Sequence, residues 1–515
     1  MRQDALLKTK FKIKIIWDCE WDRLKMSSPR LREFLLNRRR TVIHDRIPIR
    51  DCLYGGRVEV FQLNFEGSQT QKLHQYDYVS LYPSVMYENK IPCGSYIHLT
   101  GEQIPPIEDL IEKMKSEEYF GVVWCTVLPV QGLRYPILPY RTNSKDSKLL
   151  FGNCRKCMEE RSDQCNHTID ERKLTSVWMS CELIFAISRG YKLLSVIEFV
   201  KFERMEYLFK DFIKTFFVAK AECGGIPPNT DVNEMADYFL SKGIQIDPSK
   251  VHYNSSKYFL SKQFLNCLWG RVSLRTLGKP KHVLVKTMFE LWSYINSPEI
   301  EVKSVICGTD RALVKYIDTK ESTARVGLTN CVVGGHITSL ARLKLYELIE
   351  KLGDRICYVD TDSVLFKCNS TIVNQYMPTL SKYNFLGELS CELSKFGFGS
   401  YASAFISTGP KCYSLKVVTP ASDENNHEEK INYVVKSKGF SLNKKTEPLL
   451  NFESYKSLVT GETDSLEIPT TRFSCLEGGG IQITNYFKNL TYTFNKRIVK
   501  LENGVYNTYP FGYVG

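Results

Sequence analysis

The segment YVDTDS (358–363) constrains the fold of this chain most, because it sets Asp360 and Asp362 at a tight turn between two apolar runs. Residues 356–359 lead into the turn, and residues 364–366 return from it. Asp and Thr are frequent turn residues. The pattern therefore predicts a β-hairpin that presents two carboxylates at its tip.

A third carboxylate, Asp77, begins the segment DYVSLYPS (77–84), 283 positions before Asp360. Like charges held close together raise each other's pKa, and divalent cations relieve the repulsion. Two Mg²⁺ ions about 3.5–4 Å apart commonly serve in-line phosphoryl transfer. We therefore expect Asp77, Asp360 and Asp362 to converge within one ion-coordinating distance, in a nucleotidyl transferase. The alternative for Asp77 is a helix-capping residue, with Tyr82 in the core.

The composition fits a folded protein of several domains. The 515 residues correspond to roughly three domains, and 43% of them are hydrophobic. The net charge of +12 favours an anionic partner such as nucleic acid. No run of 18 or more apolar residues is present, so we expect no membrane span. The 17 Cys, without a recognisable signal peptide, favour a reducing, intracellular compartment.

Apolar residues recur at helical spacing in several parts of the chain. These parts are 107–120, 176–191, 203–222, 253–269 and 339–352. Short apolar runs within 51–100 and around the 358–363 turn predict strands, so we expect an α+β fold. The polar tract 421–430 (ASDENNHEEK) predicts a solvated loop.

A second candidate site lies on the helix predicted over 253–269. Lys262, Asn266 and Trp269 are spaced i, i+4 and i+7, which puts a cation, an amide and a flat ring on one helix face. Such groups suit a polyphosphate, a sugar or base edge, and a base plane. Gly270 is expected to end the helix. The alternative is a solvated lysine beside a core tryptophan.

A third candidate site contains Cys154, Cys157, Cys165 and His167, two ligand pairs separated by seven residues. Three thiolates and one imidazole are enough for a closed, tetrahedral, structural Zn²⁺ site. The intervening segment MEERSDQ (158–164) is too polar to build a core, so a bound metal ion would be needed to hold it in place. A reducing compartment disfavours disulfides. The alternative is four incidental residues in a Cys-rich chain.

Three segments resemble, in the same order, the three polymerase motifs of family B DNA polymerases. They are DYVSLYPS (77–84), KQFLNCLWG (262–270) and YVDTDS (358–363). The resemblance is greatest to the protein-primed branch, which includes adenovirus, phage, linear-plasmid and Polinton/Maverick enzymes. Further motifs of that branch are similar to YGGR (54–57), TSLAR (338–342) and GPKCY (409–413).

This resemblance implies roles for individual residues. Asp77 and Asp362 would be the principal Mg²⁺ ligands, with Asp360 as a third catalytic carboxylate beside them. The implied nucleotide-binding residues are Ser80, Leu81, Tyr82, Lys262, Asn266 and Trp269. The side chain of Tyr82 would exclude a 2′-hydroxyl. The implied DNA-binding residues are Tyr54, Gly55, Gly56, Arg57, Thr338, Arg342, Lys411 and Tyr413.

The resemblance also implies a right-hand fold of palm, fingers and thumb, with the insertions of protein-primed polymerases. The implied parts are a lead-in (1–50), a first palm segment (51–96), an insertion with the Cys/His cluster (97–200), fingers (201–275), a second insertion (276–325), a second palm segment (326–439), and a thumb with the C-terminal region (440–515).

The implied reaction is attack of a primer 3′-hydroxyl, or of a terminal-protein hydroxyl at initiation, on the α-phosphate of a dNTP. Two Mg²⁺ or Mn²⁺ ions would assist it. The implied partners are template-primer DNA, dNTPs and a terminal protein, in the replication of a mobile element, virus or linear plasmid. We expect the nucleus or a viral replication site as the location, with the mitochondrion as an alternative.

Two features depart from the family pattern. Cys267 and Trp269 replace the usual Ser and Tyr of the second motif, so hydrogen bonding near the primer's last base pair is expected to differ. A 3′–5′ exonuclease domain usually precedes the palm, whereas 53 residues precede Tyr54 here. Asp18 and Glu20 match the first exonuclease motif without room for the others. We interpret both as ordinary structural residues, and expect a truncated product or a loss of proofreading.

Two other function classes stay open. One is a catalytically inactive, nucleic-acid-binding remnant of a transposon polymerase, which the intact carboxylates disfavour. The other is a reverse transcriptase, whose hairpin carries two adjacent Asp residues, whereas Thr361 separates them here.

Overall fold

The computed structural model describes residues 18–30, 47–68, 70–142, 147–226, 230–274, 280–297, 300–318, 329–377, 380–421, 429–475, 481–492 and 494–515. The chain forms two compact units, Met1–Pro48 and Ile49–Gly515. The described part of the first unit contains helix α1 (Asp18–Ser27), on which Glu20 is exposed. Most of the tract 421–430, expected to be a solvated loop, lies outside the described residues.

The strands belong to the second unit and pair in antiparallel ladders. They are β1 (Val58–Val60), β2 (Asn64–Glu66), β3 (Lys72–Tyr78), β4 (Ile91–Thr100), β5 (Gly121–Leu128), β6 (Tyr140–Arg141), β7 (Leu149–Leu150), β8 (Leu174–Met179), β9 (Lys192–Glu206), β10 (Lys281–Val285), β11 (Ile300–Cys307), β12 (Ala312–Asp318), β13 (Ile356–Asp360), β14 (Ser363–Cys368), β15 (Leu389–Cys391), β16 (Tyr401–Gly409), β17 (Cys412–Thr419), β18 (Lys430–Ser437), β19 (Ser465–Cys475), β20 (Ile481–Thr491), β21 (Ile498–Glu502) and β22 (Val505–Tyr509).

The helices of the second unit flank these strands. They are α2 (Leu81–Glu88), α3 (Ile107–Lys115), α4 (Arg155–Glu160), α5 (Ile169–Arg172), α6 (Ser180–Ser188), α7 (Lys210–Cys223), α8 (Val232–Ser241), α9 (Ser255–Val272), α10 (Met288–Ile295), α11 (Cys331–Leu352), α12 (Val373–Tyr376) and α13 (Phe452–Thr460). Short 3₁₀ turns lie at Ile49–Cys52, Gly101–Gln103, Pro248–Lys250, Gly353–Arg355, Ser370–Ile372 and Ser394–Phe396.

A nine-stranded sheet forms the centre of the second unit. Its order is β1-β13-β14-β3-β16-β17-β18, with β15 pairing with β3 and β2 pairing with β16. Side chains alternate between two apolar clusters: Val364 and Phe366 belong to one, and Leu365 to the other. Helix α11 packs into the first cluster and α13 into the second. Both faces of the sheet are therefore covered, and its central strands lie between two apolar layers.

The local sequence explains where α11 begins and ends. The Asn330 side chain accepts hydrogen bonds from the backbone N–H groups of Val332 and Val333, and Gly353 follows the last turn with φ +54°. The prediction over 339–352 covered only the second half of the helix. The first half contains Gly334 and Gly335, which disfavour a helix by propensity. Close packing on neighbouring elements overrides that preference, since a Cβ at Gly335 would lie 3.0 Å from Cys52.

The other predicted helices exist, with shifted bounds. The helix expected over 107–120 is α3, and the one over 253–269 is α9. Residues through Glu206 belong to β9, so the helix expected over 203–222 begins at Lys210. The start of the 176–191 prediction lies in β8, and α6 follows it. Strand and helix share apolar runs there, and periodicity alone does not separate them.

Smaller sheets surround the central one. A four-stranded sheet, β4-β9-β5-β8, spans the predicted insertion 97–200, and the three-stranded sheet β10-β12-β11 carries α10. The described residues thus form a mixed α+β fold, as expected, while the predicted domain boundaries stay predictions. Among the residues the structure describes, none of the helices combines the length and apolar character that crossing a bilayer requires.

Candidate active site

Two neighbouring strands of the central sheet bring Asp77 and Asp362 side by side. Ser363, the first residue of β14, pairs with Asp77 of β3. The backbone N–H of Tyr78 donates to the carbonyl oxygen of Asp362 over 2.8 Å. The two residues are therefore held in fixed register, although they lie far apart in the sequence.

The Asp77 and Asp362 carboxyl groups interact unfavourably as charges. Burial raises the pKa of Asp77, and the nearby charge of Asp362 raises it further. Burial also raises the pKa of Asp362, and the charge of Asp360 adds to this shift. Two half-buried carboxylates whose charges repel each other favour a bound cation, because the cation removes the repulsion.

Asp360 takes a different position from the other two carboxylates. Its oxygens accept from Lys411 Nζ over 2.6 Å and from the Tyr358 hydroxyl over 3.1 Å. In the described part of the chain, the Cys/His cluster alone brings three or more ligand residues within 4.8 Å of one another. The three carboxylates Asp77, Asp360 and Asp362 therefore do not form such a group in this structure, where Asp360 is bound by Lys411. The catalytic role of Asp360 stays a prediction.

The hairpin turn between β13 and β14 depends on the YGGR segment (54–57). Thr361 has φ +63°, an uncommon conformation for a β-branched residue. Its backbone N–H donates to the carbonyl oxygen of Arg57 over 2.7 Å. A Cβ on Gly56 would lie 2.6 Å from the Thr361 side chain, so only glycine fits there. The segment thus supports the carboxylate turn directly.

A cavity of about 820 Å³ opens beside the carboxylate pair. Asp77 and Asp362 lie on its wall together with Lys220, Lys262 and Asn266. Two cations, Lys220 and Lys262, therefore face the same space as the two aspartates. This arrangement suits a ligand that carries a polyphosphate together with bound divalent cations.

Lys220 of α7 is a site residue that the sequence did not reveal. Its Nζ donates to the Ser80 hydroxyl over 3.2 Å, and burial lowers its pKa to about 8, with the charge of Lys262 adding to this shift. Glu392 also lines the cavity, and its charge adds to the raised pKa values of Asp77 and Asp362. Neither residue stands in a recognisable motif; Lys220 is brought in by the packing of α7 on α9, where Phe216 and Phe264 stack at 4.5 Å.

The segment after Asp77 presents a helix N-terminus to the cavity. Ser80 has φ +54° and precedes α2, whose first residues are Leu81 and Tyr82. The first backbone N–H groups of a helix have no partner within the helix, and they attract anions. Leu81 is buried, so its side chain is part of the core and only its backbone is available.

Tyr82 and Trp269 contact each other, with ring centroids 5.1 Å apart. The indole N–H of Trp269 donates to the carbonyl oxygen of Gly334 over 3.1 Å, which fixes the indole against α11. The Trp that replaces the usual Tyr therefore directs its polar group into the protein. Gly270 does not end the helix as expected, because α9 continues to Val272.

Five of the residues implied to bind DNA have buried side chains: Tyr54, Arg57, Thr338 and Arg342, and also Tyr413, which is described below. The Thr338 hydroxyl donates to the carbonyl oxygens of Gly334 and Gly335. The Arg57 guanidinium pairs with Glu59, which also pairs with Arg497. These side chains have partners in the interior, and their binding to DNA stays a prediction.

Arg342 connects the insertion to the YGGR segment. Its guanidinium forms a bidentate, buried ion pair with Glu182 of α6, with both N–O distances at 2.7 Å. The same guanidinium donates to the carbonyl oxygens of Tyr54 and Gly55 over 3.0 and 2.9 Å. Glu182 therefore positions the backbone that supports the carboxylate turn, a link that no motif indicated.

The remaining DNA-binding candidates are Gly55, Gly56, Lys411 and Tyr413. The two glycines are half-buried, and Lys411 is exposed beside Asp360. Tyr413 is buried, and its ring centroid lies 5.0 Å from that of Tyr358. Direct DNA contact stays a prediction for Lys411 and the glycines, while Tyr413 is placed to support the β13 strand.

The predicted Cys/His cluster forms as expected. The ligand atoms of Cys154, Cys157, Cys165 and His167 all lie within 4.8 Å of one another. The four residues could therefore hold a metal ion.

Residues 43–229 match the protein family described as DNA polymerase type B, organellar and viral. The match covers 187 of the 515 residues, less than half of the chain. This segment includes the YGGR residues, Asp77, the insertion and Lys220.

A curated relative is a probable DNA polymerase of Ascobolus immersus. It is 23% identical over 330 residues, which are 64% of this chain and 22% of the relative. The chain thus spans about a fifth of the relative's length.

The fold is similar to that of Phi29 DNA polymerase. An orthorhombic crystal form matches with a TM-score of 0.52 at 16% identity, covering 94% of this chain and 76% of that chain. A ternary complex of the same enzyme with primer-template DNA and incoming nucleotide substrates gives the same values. A binary complex with primer-template DNA matches with a TM-score of 0.50 at 16% identity, covering 86% and 61% of the two chains.

Proposed function

We propose that this chain is a DNA-templated DNA polymerase that adds dNTPs to a primer 3′-hydroxyl. One observation carries the proposal: Asp77 and Asp362 share a cavity of about 820 Å³ with Lys220 and Lys262. Nucleotidyl transfer needs cation ligands beside a polyphosphate site, and this cavity offers both. The family match of residues 43–229 supports the same chemistry.

Asp77 and Asp362 fit Mg²⁺, because both are oxygen donors whose mutual repulsion a divalent cation would relieve. Two such ions, when bound, lower the pKa of an attacking hydroxyl and stabilise the charge on the leaving pyrophosphate. The carboxylates supply the negative charge that holds cations in the cavity. The protein's task at this point is to keep the pair in register, which the β3–β14 ladder does.

The other cavity residues bind and orient the nucleotide. Lys220 and Lys262 neutralise the polyphosphate, and the α2 N-terminus adds backbone donors after Ser80. Tyr82, backed by Trp269, limits the space at the sugar and so excludes a 2′-hydroxyl. Asn266 lines the cavity, and Trp269, which contacts Tyr82, shapes the base-pair side of the pocket from behind it.

The template-primer is the proposed macromolecular partner. The net charge of +12 favours DNA, and two of the similar Phi29 DNA polymerase structures are complexes with primer-template DNA. Lys411, beside Asp360, is proposed to steady the primer terminus. We further propose that the chain can start synthesis on a terminal-protein hydroxyl. This priming would serve the replication of a mobile element, virus or linear plasmid.

Primer extension by the purified full chain tests the proposal. With Mg²⁺, all four dNTPs and a primed DNA template, we expect extension in the order that the template dictates. A primed RNA template of the same sequence should give far less product. Absence of extension with Mg²⁺ and with Mn²⁺ would support an inactive remnant instead. Equal extension on RNA would indicate a reverse transcriptase.

Replacing Lys220 tests the residue that sequence patterns missed. Lys220→Gln removes one of the two cations that face the phosphates, so the KM for dNTP should rise about tenfold, the value of one charge-assisted hydrogen bond. Steady-state extension at varied dNTP concentration measures it. Lys257→Gln is the matched control, because Lys257 is exposed on α9 and lies outside the cavity lining. Equal KM values for the two variants would contradict the role of Lys220.

A further inference from the structure

The Cys/His cluster plays no part in nucleotidyl transfer as proposed, yet its geometry is that of a metal site. His167 Nδ1 lies 3.5 Å from Cys154 Sγ, 3.2 Å from Cys157 Sγ and 4.0 Å from Cys165 Sγ. A tetrahedral Zn²⁺ with ordinary Zn–S and Zn–N bonds has S···N edges of about 3.6 Å. The three distances scatter around that value.

The imidazole of His167 is oriented for metal binding through Nδ1. The other ring nitrogen, Nε2, lies 3.5 Å from a carboxylate oxygen of Glu160, at the end of α4. A carboxylate behind a ligating histidine fixes the ring and its tautomer. Cys154 and Cys157 are buried, so a metal ion here would have little access to solvent. Four protein ligands close the coordination shell, which favours a structural ion.

The C-terminal end of the chain packs directly on this cluster. The backbone N–H of Asn153 donates to the carbonyl oxygen of Phe511 over 2.8 Å. Gly512 has φ +82°, and a Cβ there would lie 2.4 Å from the Cβ of Cys154. The Arg161 guanidinium covers the buried Phe511 ring at 5.5 Å. The Cys-rich loop and residues 510–515 therefore form one packed unit.

Gln131 contacts both the Cys-rich loop and the C-terminal segment. Its side-chain N–H group donates to Cys165 Sγ over 3.8 Å. Its backbone carbonyl oxygen accepts from the Val514 N–H over 3.2 Å and from the Asn153 side chain over 2.9 Å. Within the loop that carries the ligands, Met158 is buried in the core, whereas residues 159–164 are polar. The cluster ties this polar stretch to the buried residues before it.

We propose that Cys154, Cys157, Cys165 and His167 bind one structural Zn²⁺ ion, and that this ion fixes the C-terminal segment 510–515 to the Cys-rich loop. The ion orders the loop, and the ordered loop provides the surface on which Phe511 and Gly512 pack. The inference stands independently of the polymerase proposal, because it uses none of the cavity residues.

Metal analysis and hydrogen exchange of the full chain test the inference. Protein purified without added metal should contain about one zinc ion per chain. Cys165→Ser and His167→Ala should lose the zinc, and amides of residues 510–515 should then exchange at least about tenfold faster. Cys93→Ser is the matched control, because Cys93 is a half-buried cysteine outside the cluster, and it should change neither quantity.

A second variant separates the packing of the C-terminal segment from metal binding. Phe511→Ala removes the buried ring that packs the segment, so it should keep the zinc while exchange at 510–515 accelerates. Wild-type protein without zinc, or with a disulfide among these cysteines by mass spectrometry, would overturn the site. Unchanged exchange at 510–515 in zinc-free Cys165→Ser would overturn the inference that the ion fixes the C-terminal segment. Failure of primer extension alone would leave both conclusions standing, because neither readout depends on activity.

Discussion

Asp362→Asn is expected to reduce nucleotide incorporation by at least about 10³-fold, the effect of losing several kcal/mol of metal-assisted transition-state stabilisation. The substitution keeps the shape of the side chain but removes the negative charge that, with Asp77, would hold the cations. Binding of primer-template DNA should be nearly unchanged, because DNA binding rests mainly on phosphate contacts elsewhere. Single-turnover primer extension with Mg²⁺ measures incorporation, and fluorescence anisotropy measures binding.

The control for this variant is Asp170→Asn, which removes an exposed carboxylate at the start of α5. It should extend primers at the wild-type rate. Near-normal extension by Asp362→Asn would refute its assignment as a metal ligand. Equal loss of extension and of DNA binding would indicate a general defect of the fold instead.

Because the pKa values of Asp77 and Asp362 are raised, we expect Asp362→Asn to lose activity without losing stability. A carboxyl group whose pKa is raised in the folded state has no effect on stability at a pH below its pKa in the unfolded chain, about 4. It destabilises the fold as the pH rises from there toward its folded pKa. Asp77 and Asp362 both shift in this direction, mainly through burial. Without added Mg²⁺, Asp362→Asn should therefore be at least as stable as wild type at neutral pH, as measured by thermal unfolding.

Glu182→Gln is expected to lower the free energy of unfolding by about 3–5 kcal/mol, because it leaves the buried Arg342 guanidinium without its counter-charge. Urea titration measures the change. Primer extension should also fall, since Arg342 holds the carbonyl oxygens of Tyr54 and Gly55, and the adjoining Gly56 supports Thr361 in the carboxylate turn.

The double variant Glu182→Gln/Arg342→Met provides the internal comparison. It removes both charges, so it should recover part of the lost stability, although the carbonyl oxygens of Tyr54 and Gly55 lose their donor. Glu234→Gln is the matched control, because its ion pair with Lys382 is exposed on both sides and should contribute about 0–1 kcal/mol. A change in Glu182→Gln no larger than in Glu234→Gln would contradict the structural role of the buried pair.

Local patterns were sufficient to predict several parts of the site. Turn residues between apolar runs predicted the hairpin at 358–363, and β13 and β14 form it. The short spacing of Cys154, Cys157, Cys165 and His167 predicted their cluster. Helical spacing predicted one face with Lys262, Asn266 and Trp269; Lys262 and Asn266 line the cavity, and Trp269 contacts Tyr82. In each case the interacting residues are near neighbours in the chain, so spacing limits their geometry.

Contacts between distant segments were not predictable in the same way. Lys220 reaches the cavity because α7 packs on α9. Asp360 is turned toward Lys411, which follows it by 51 positions. Arg57 and Arg342 carry positive charge in motifs implied to touch DNA, yet Glu59 and Glu182 bind them in the interior. No local pattern reveals which partner a charged side chain will find.

The sequence by itself determined the α+β class, the carboxylate hairpin, the Cys/His cluster and the resemblance to family B DNA polymerases, because each depends on residues close together in the chain. Only the tertiary structure decided that Lys411 binds Asp360, and that Lys220 joins Lys262 in the cavity. It also decided that the 510–515 segment lies on the Cys-rich loop. The physical reason is that strand register, helix packing and burial select one partner among many chemically equivalent side chains.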